Sequence, residues 1–91
     1  MYNTIDMCNK LEIYKKRLIY RASYRGTKEM DILLSKFVDK NINNFNLKFL
    51  QELEKFLDFE DEIISNFYYF NTIEKEIDQN KISVLFKNFK I

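Results

Sequence analysis

Apolar residues recur along this chain at intervals of three and four, and no stretch alternates strictly enough to argue a strand. The clearest stripe is Met30, Leu33, Leu34, Phe37 and Val38, at i, i+3, i+4, i+7 and i+8. It predicts a helix over about residues 28–40 with that face inward. Ahead of it, Leu11, Tyr14, Leu18 and Ala22 share one face of a helix over about residues 10–24. Downstream, Leu47, Leu50, Leu53, Phe56 and Leu57 predict an inward face over about residues 46–57. Ile63, Ile64, Phe67 and Phe70 do the same for a short fourth helix over about residues 62–70. Ile82, Leu85, Phe86 and Phe89 mark a last helix over about residues 78–89, with Val84 on its other side. Asn41-Ile42-Asn43-Asn44 reads as a loop. Residues 71–77 are ambiguous between loop and helix. The expected fold is all-α: a monomeric, single-domain bundle of five helices with short connections, preceded by a flexible segment over residues 1–9.

The punctuation is sparse. The chain holds one glycine, Gly26, and no proline. Gly26 breaks the first helix from the second, and Thr27 is placed to cap the second. Glycine permits a positive φ, or close approach by another backbone, at no steric cost. Two readings stand side by side: a tight turn between helices, or a recognition surface against which a partner's backbone lies. Glu29 and Asp31 fall in the first turn of the second helix, where the helix dipole favours negative charge, and that is a complete structural account of both. The basic residues Lys15, Lys16, Arg17, Arg21 and Arg25 lie mostly off the apolar face of the first helix. They form either a solvated face or a cationic patch for an acidic partner. Phe67-Tyr68-Tyr69-Phe70 is either core or a stacking platform for a flavin or a base.

Composition narrows the class. Ninety-one residues make one domain. A chain this size buries ~60–65% of its unfolded surface, enough for one modest core without a deep cofactor cavity beside it. Fifteen basic residues against fourteen acidic ones leave a net charge of +1, which argues against bulk nucleic-acid affinity. No apolar stretch is long enough to insert in a membrane. Residues 1–10 lack an apolar region and carry Asp6, so neither a secretory signal nor a transit peptide is expected there. A lone cysteine, Cys8, cannot form an internal disulfide. The chain has no histidine, the commonest acid–base group near neutrality. With one cysteine and no histidine, zinc-type metal sites are effectively excluded. A single glycine rules out a Gly-rich phosphate cradle. These absences favour a non-catalytic helical protein.

Arg25-Gly26-x-x-Glu29, set between a basic first helix and a Leu-rich second one, resembles the succinate dehydrogenase FAD-assembly factors, small flavinylation factors of bacteria and mitochondria. The resemblance covers about residues 15–89. Lys16-Arg17-Leu18-Ile19-Tyr20-Arg21 is similar to the family's basic-apolar first helix. Met30-Asp31-Ile32-Leu33-Leu34 with Phe37-Val38, and Leu53-Glu54-Lys55-Phe56-Leu57-Asp58 with the acidic turn after it, resemble its later segments. The chain departs from the family in three places. Tyr24 stands where many members have a basic residue or histidine, the acidic turn lacks a proline, and Phe67 stands about where a tryptophan is usual.

The resemblance implies a helper, not an enzyme. It implies binding to the flavoprotein subunit of succinate dehydrogenase or fumarate reductase, and promotion of covalent FAD attachment to a histidine of that client. The flavin belongs to the client, so no cofactor of this chain's own is expected. Partner-binding residues on this reading are Arg17, Arg21, Tyr24, Arg25, Gly26, Glu29 and Asp31. Gly26 admits the client backbone, while Arg25 and Glu29 make polar contacts around it. The implied compartment is the bacterial cytoplasm, or the mitochondrial matrix in a eukaryote. The alternative is a helical adaptor with the same fold and a different protein partner.

Overall fold

A computed structural model describes the backbone of residues 3–90 and the side chains of residues 10–90. Of the segment over residues 1–9 expected to be flexible, residues 1–2 and the side chains of 3–9 lie outside the described part. Five α-helices follow one another: α1 (Asn3–Ser23), α2 (Lys28–Asn41), α3 (Leu47–Leu57), α4 (Asp61–Phe70) and α5 (Lys81–Lys87). Two 3₁₀ turns, Ile42–Asn44 and Ile77–Gln79, interrupt the connections. There is no strand among the described residues. The all-α, five-helix expectation therefore holds.

Local chemistry explains the helix starts. Thr27 is extended, and its hydroxyl accepts the Met30 N–H at 3.2 Å. Asn46 accepts the Phe49 N–H at 2.9 Å. Asn80 accepts from Ile82 at 2.8 Å and Ser83 at 3.0 Å, while its own amide donates to the Glu52 carbonyl at 3.0 Å. Each of these caps satisfies backbone donors that have no partner inside the helix. α4 ends on Asn71 in the left-handed region (φ 61°). There the Thr72 N–H returns to the Asn66 carbonyl, the Schellman closure.

The core is where the stripes converge. Leu18 and Ala22 of α1, the whole Met30–Val38 stripe of α2, Leu50, Leu53, Phe56 and Leu57 of α3, and Ile63, Ile64 and Phe67 of α4 are all buried. α5 closes the body with Ile82 and Phe86. The Phe86 ring lies 5.1 Å from Phe37 and 5.3 Å from Phe56, so the short last helix pins α2 to α3 through aromatic edges and faces. Tyr68 donates to the Phe89 carbonyl at 2.6 Å and Lys87 to the Phe67 carbonyl at 2.7 Å, which tie α5 to α4.

Several sequence expectations need correction. α1 begins at Asn3, well before residue 10, and Leu11 is exposed because this helix runs past the body it packs on. Leu47 is 56% exposed: it is the first residue of α3, where a full turn of helix still separates it from the core. Phe70 and Leu85 are exposed as well, the first at the end of α4 and the second on the outer edge of α5. α5 is shorter than expected, spanning Lys81–Lys87. Its predicted first turn is instead the 3₁₀ turn at Ile77. The 41–44 loop is partly a 3₁₀ turn that buries Ile42, and Ile77 is buried in the stretch left ambiguous. The aromatic quartet divides: Phe67 is core, Tyr68 is half-buried, and Tyr69 and Phe70 face out.

Candidate functional site

The corner between α1 and α2 holds the motif. α1 stops at Ser23, and the chain turns through Tyr24, Arg25, Gly26 and Thr27. Arg25 does not point to solvent; its side chain is 10% exposed and crosses to the turn between α3 and α4. Nε donates to Asp61 Oδ1 at 2.7 Å, Nη1 to the Leu57 carbonyl at 2.8 Å, and Nη2 to the Phe59 carbonyl at 2.8 Å. The fork thus caps the carbonyl end of α3 and meets a carboxylate in the first turn of α4. Its positive charge sits where the α3 dipole is negative, and the Asp61 charge sits where the α4 dipole is positive.

Two further bonds fix the backbone of the corner. The Arg25 N–H donates to the Asp31 carboxylate, which holds the turn from the α2 side. The Gly26 N–H donates to Asp61 Oδ2 at 2.5 Å, which holds it from the α4 side. Gly26 is not in the left-handed region. A Cβ built on it would stand 2.9 Å from Asp61 Oδ2, so any side chain here would have to displace that carboxylate. On the side where a Cβ would stand, this chain's own Asp61 carboxylate lies against Gly26, which is otherwise exposed.

The other expected site residues are placed differently. Arg21 pairs with Asp58 at 2.6 Å in an exposed bridge beside the Arg25 fork. Arg17 and Glu29 are exposed, and among the described residues neither makes an ion pair. Tyr24 is 70% exposed and its ring lies 4.5 Å from that of Tyr20. Tyr20 and Arg21 lie three and four residues after Arg17, and Tyr24 lies three after Arg21 just past the end of α1, so the four line one face there. The seven residues expected to bind a partner thus divide. Arg25, Gly26 and Asp31 build the corner from within, Arg21 braces it, and Arg17, Tyr24 and Glu29 are presented around it.

The sequence reading missed Asp61, Asp58 and Tyr20. The acidic turn is visible as a run of carboxylates, but nothing in its spacing says which basic residue it meets. Two shallow clefts lie elsewhere. One of about 220 Å³ is lined by Asn46, Lys48, Phe49, Glu52 and Lys81, and one of about 370 Å³ opens beside Lys40 and Phe89. No motif residue lines either.

The fold and the corner define a small all-α domain whose polar motif braces one surface turn through a largely buried ion pair. Residues 16–90 match the family described as flavinator of succinate dehydrogenase, and the chain belongs to that family. It is similar to succinate dehydrogenase assembly factor 2, mitochondrial, of Scheffersomyces stipitis, with 38% identity over 89% of this chain and 51% of that protein. The protein of the same name from Debaryomyces hansenii is 35% identical over 89% of this chain and 54% of its own length. Succinate dehydrogenase assembly factor 2-A, mitochondrial, of Drosophila willistoni is 53% identical over a shorter stretch, 40% of this chain and 23% of that protein. The chain spans about half the length of the two yeast relatives. No solved structure matches it. No helix among the described residues is long and apolar enough to cross a membrane.

Proposed function

We propose that this chain is an assembly factor for succinate dehydrogenase that binds its flavoprotein subunit and promotes covalent attachment of FAD to a histidine of that subunit. The observation that carries the reading is the family match over residues 16–90, which contains the whole Arg25–Glu29 corner. The chemistry is the client's: its histidine is the nucleophile, and the flavin supplies the electrophilic 8α-methyl position. A chain without histidine can still speed that reaction by holding the client in the reactive arrangement, since correct geometry alone is worth up to ~7–11 kcal/mol. The chain acts on this proposal as a non-enzymatic helper with no cofactor of its own. Its contact surface is the corner: Glu29, Tyr24 and Arg17 meet the client, while Arg25, Gly26 and Asp31 keep the corner in shape. Its compartment is that of its client, the cytoplasm of a bacterium or the mitochondrial matrix; the relatives above are named mitochondrial.

In-gel flavin fluorescence of the flavoprotein subunit, in cells with and without this chain, tests the reading. Covalent flavin should fall sharply when the chain is absent. Unchanged fluorescence, with a different protein recovered on the tagged chain, would overturn it in favour of a general adaptor.

A further inference from the structure

We infer that Asp61, in a part of the chain remote from the motif, is a positioning residue for the client-binding corner, and that Gly26 is glycine because of Asp61. This inference rests on the proposed function for its biological consequence, but its geometry stands on the free chain.

The Asp61 carboxylate serves two donors that are neighbours in sequence. Oδ1 takes the Arg25 Nε–H at 2.7 Å and Oδ2 takes the Gly26 N–H at 2.5 Å. One short side chain on α4 thus clasps both the side chain and the following backbone amide of the α1–α2 turn. Asp61 is 23% exposed at its side chain and Arg25 10%, so the pair is largely shielded from water that would otherwise loosen it. The opposite side of the same turn is held by Asp31 through the Arg25 N–H. The two carboxylates thus hold the backbone entering α2 from both sides. Glu29, three residues beyond Gly26, inherits its position from it.

Gly26 follows from the clasp. The 2.9 Å separation between a built Cβ and Asp61 Oδ2 is closer than such contacts occur. The carboxylate cannot swing away without losing Arg25 and the Gly26 amide together. A larger residue at 26 therefore damages the corner by displacing Asp61, and needs no clash with a client to do so.

This makes a prediction that a client-contact role for Gly26 does not share. If Gly26 leaves room for Asp61, then Gly26→Ala and Asp61→Ala harm the same thing, and the second change adds little to the first. If Gly26 leaves room for the client backbone, the two losses multiply. The experiment is a double-mutant cycle on Gly26→Ala and Asp61→Ala. Covalent flavin formation in purified flavoprotein subunit and amide exchange at Gly26 are measured on each variant. Tyr68→Phe, which removes the bond to the Phe89 carbonyl at the other end of α4, serves as the stability control.

Each single variant should slow flavinylation by about tenfold or more, since a misplacement near 1 Å can cost up to about a hundredfold. The double variant should be no slower than Asp61→Ala alone. Exchange at Gly26 should quicken about tenfold in Asp61→Ala and stay at the wild-type value in Tyr68→Phe, because only the first removes the acceptor of that amide. Multiplied losses, wild-type flavinylation by Asp61→Ala, or rates that simply track melting temperature across all variants would overturn the inference. Should the wild-type chain itself fail to aid any flavoprotein subunit, the proposed function falls, and the exchange measurement alone decides the clasp: unchanged exchange at Gly26 refutes it.

Discussion

Arg25→Ala separates burial from distance as the source of an ion pair's worth. Arg21 and Arg25 lie four residues apart, the first in α1 and the second in the turn after it, and each has a carboxylate oxygen within 2.7 Å. By distance they are equals. By surroundings they are not: Arg21 and Asp58 are 38% and 65% exposed at their side chains, against 10% and 23% for Arg25 and Asp61. The exposed pair is worth ~0–1 kcal/mol, because water and salt screen it and two long side chains must be ordered to make it. Removing the Arg25 side chain takes away three hydrogen bonds from a cation and leaves the Leu57 and Phe59 carbonyls and Asp61 Oδ1 without their donor, while Asp61 Oδ2 keeps the Gly26 N–H. Breaking a fully buried pair costs about 3–5 kcal/mol, and bonds to a charged group contribute about 1.5–3 kcal/mol each. Solvent reaches Asp61 in part, so about 2–4 kcal/mol is expected here. A domain of this length has roughly 5–14 kcal/mol in all. The change should lower the melting temperature by roughly 8–32 °C, from about 4–8 °C per kcal/mol. Urea unfolding followed by circular dichroism measures both variants. If Arg25→Ala falls within about 0.5 kcal/mol of Arg21→Ala, the reasoning that shielding makes the fork strong is wrong.

Other outcomes follow from single features. Leu34 is fully buried in the α2 stripe, so Leu34→Ala should cost ~2–5 kcal/mol in the same titration. Glu29 is exposed in the first turn of α2, so Glu29→Ala should cost at most ~1 kcal/mol, yet covalent flavin in the client should fall sharply. Wild-type flavinylation by that variant would remove Glu29 from the contact surface. The Tyr14 phenol is pushed up to about 12, first by burial, then by its 2.7 Å bond to Glu54 and by that carboxylate's charge. Because the folded state holds this proton more tightly than the unfolded chain, the stability it confers is complete below pH 10 and is lost as pH rises from 10 through about 12. Tyr14→Phe should flatten that part of the stability profile, and an unaltered profile would count against the assignment. Ser83 is buried, and its hydroxyl has no hydrogen-bond partner among the described residues. Ser83→Ala should therefore leave the melting temperature unchanged or raise it, and a marked drop would reveal a partner for the hydroxyl.

The division between what a sequence shows and what a fold decides runs through particular residues. Wherever the chain is regular for three turns, its burial is legible. All five stripe residues of α2 are buried as their spacing predicts, because helical periodicity is a local property and each residue's face follows from its neighbours. Thr27 caps α2 as expected, since a side chain reaching its own helix start needs no distant partner. Errors gather where a helix extends past the core or along its rim. Leu11, Leu47 and Leu85 keep the right spacing and are exposed, because a stripe states which side faces in but not how far the core extends beneath it. Ile42 and Ile77 are buried without any periodicity, since a single 3₁₀ turn is too short to show one.

The site divides in the same way. The Arg25-Gly26-x-x-Glu29 motif is plain in the sequence, and so is the acidic turn. That the two are one structure is not. Arg25 and Asp61 are 36 residues apart, on elements brought together only by packing α1 against α3 and placing α4 after it. Charge is common and non-directional along a sequence, and any of fifteen basic residues had an equal claim on that carboxylate. Only the folded arrangement selects the pair. With it comes a structural role for part of the motif: the arginine turns inward to Asp61, the exposed glycine gives its amide to the same carboxylate, and the glutamate stays on the surface.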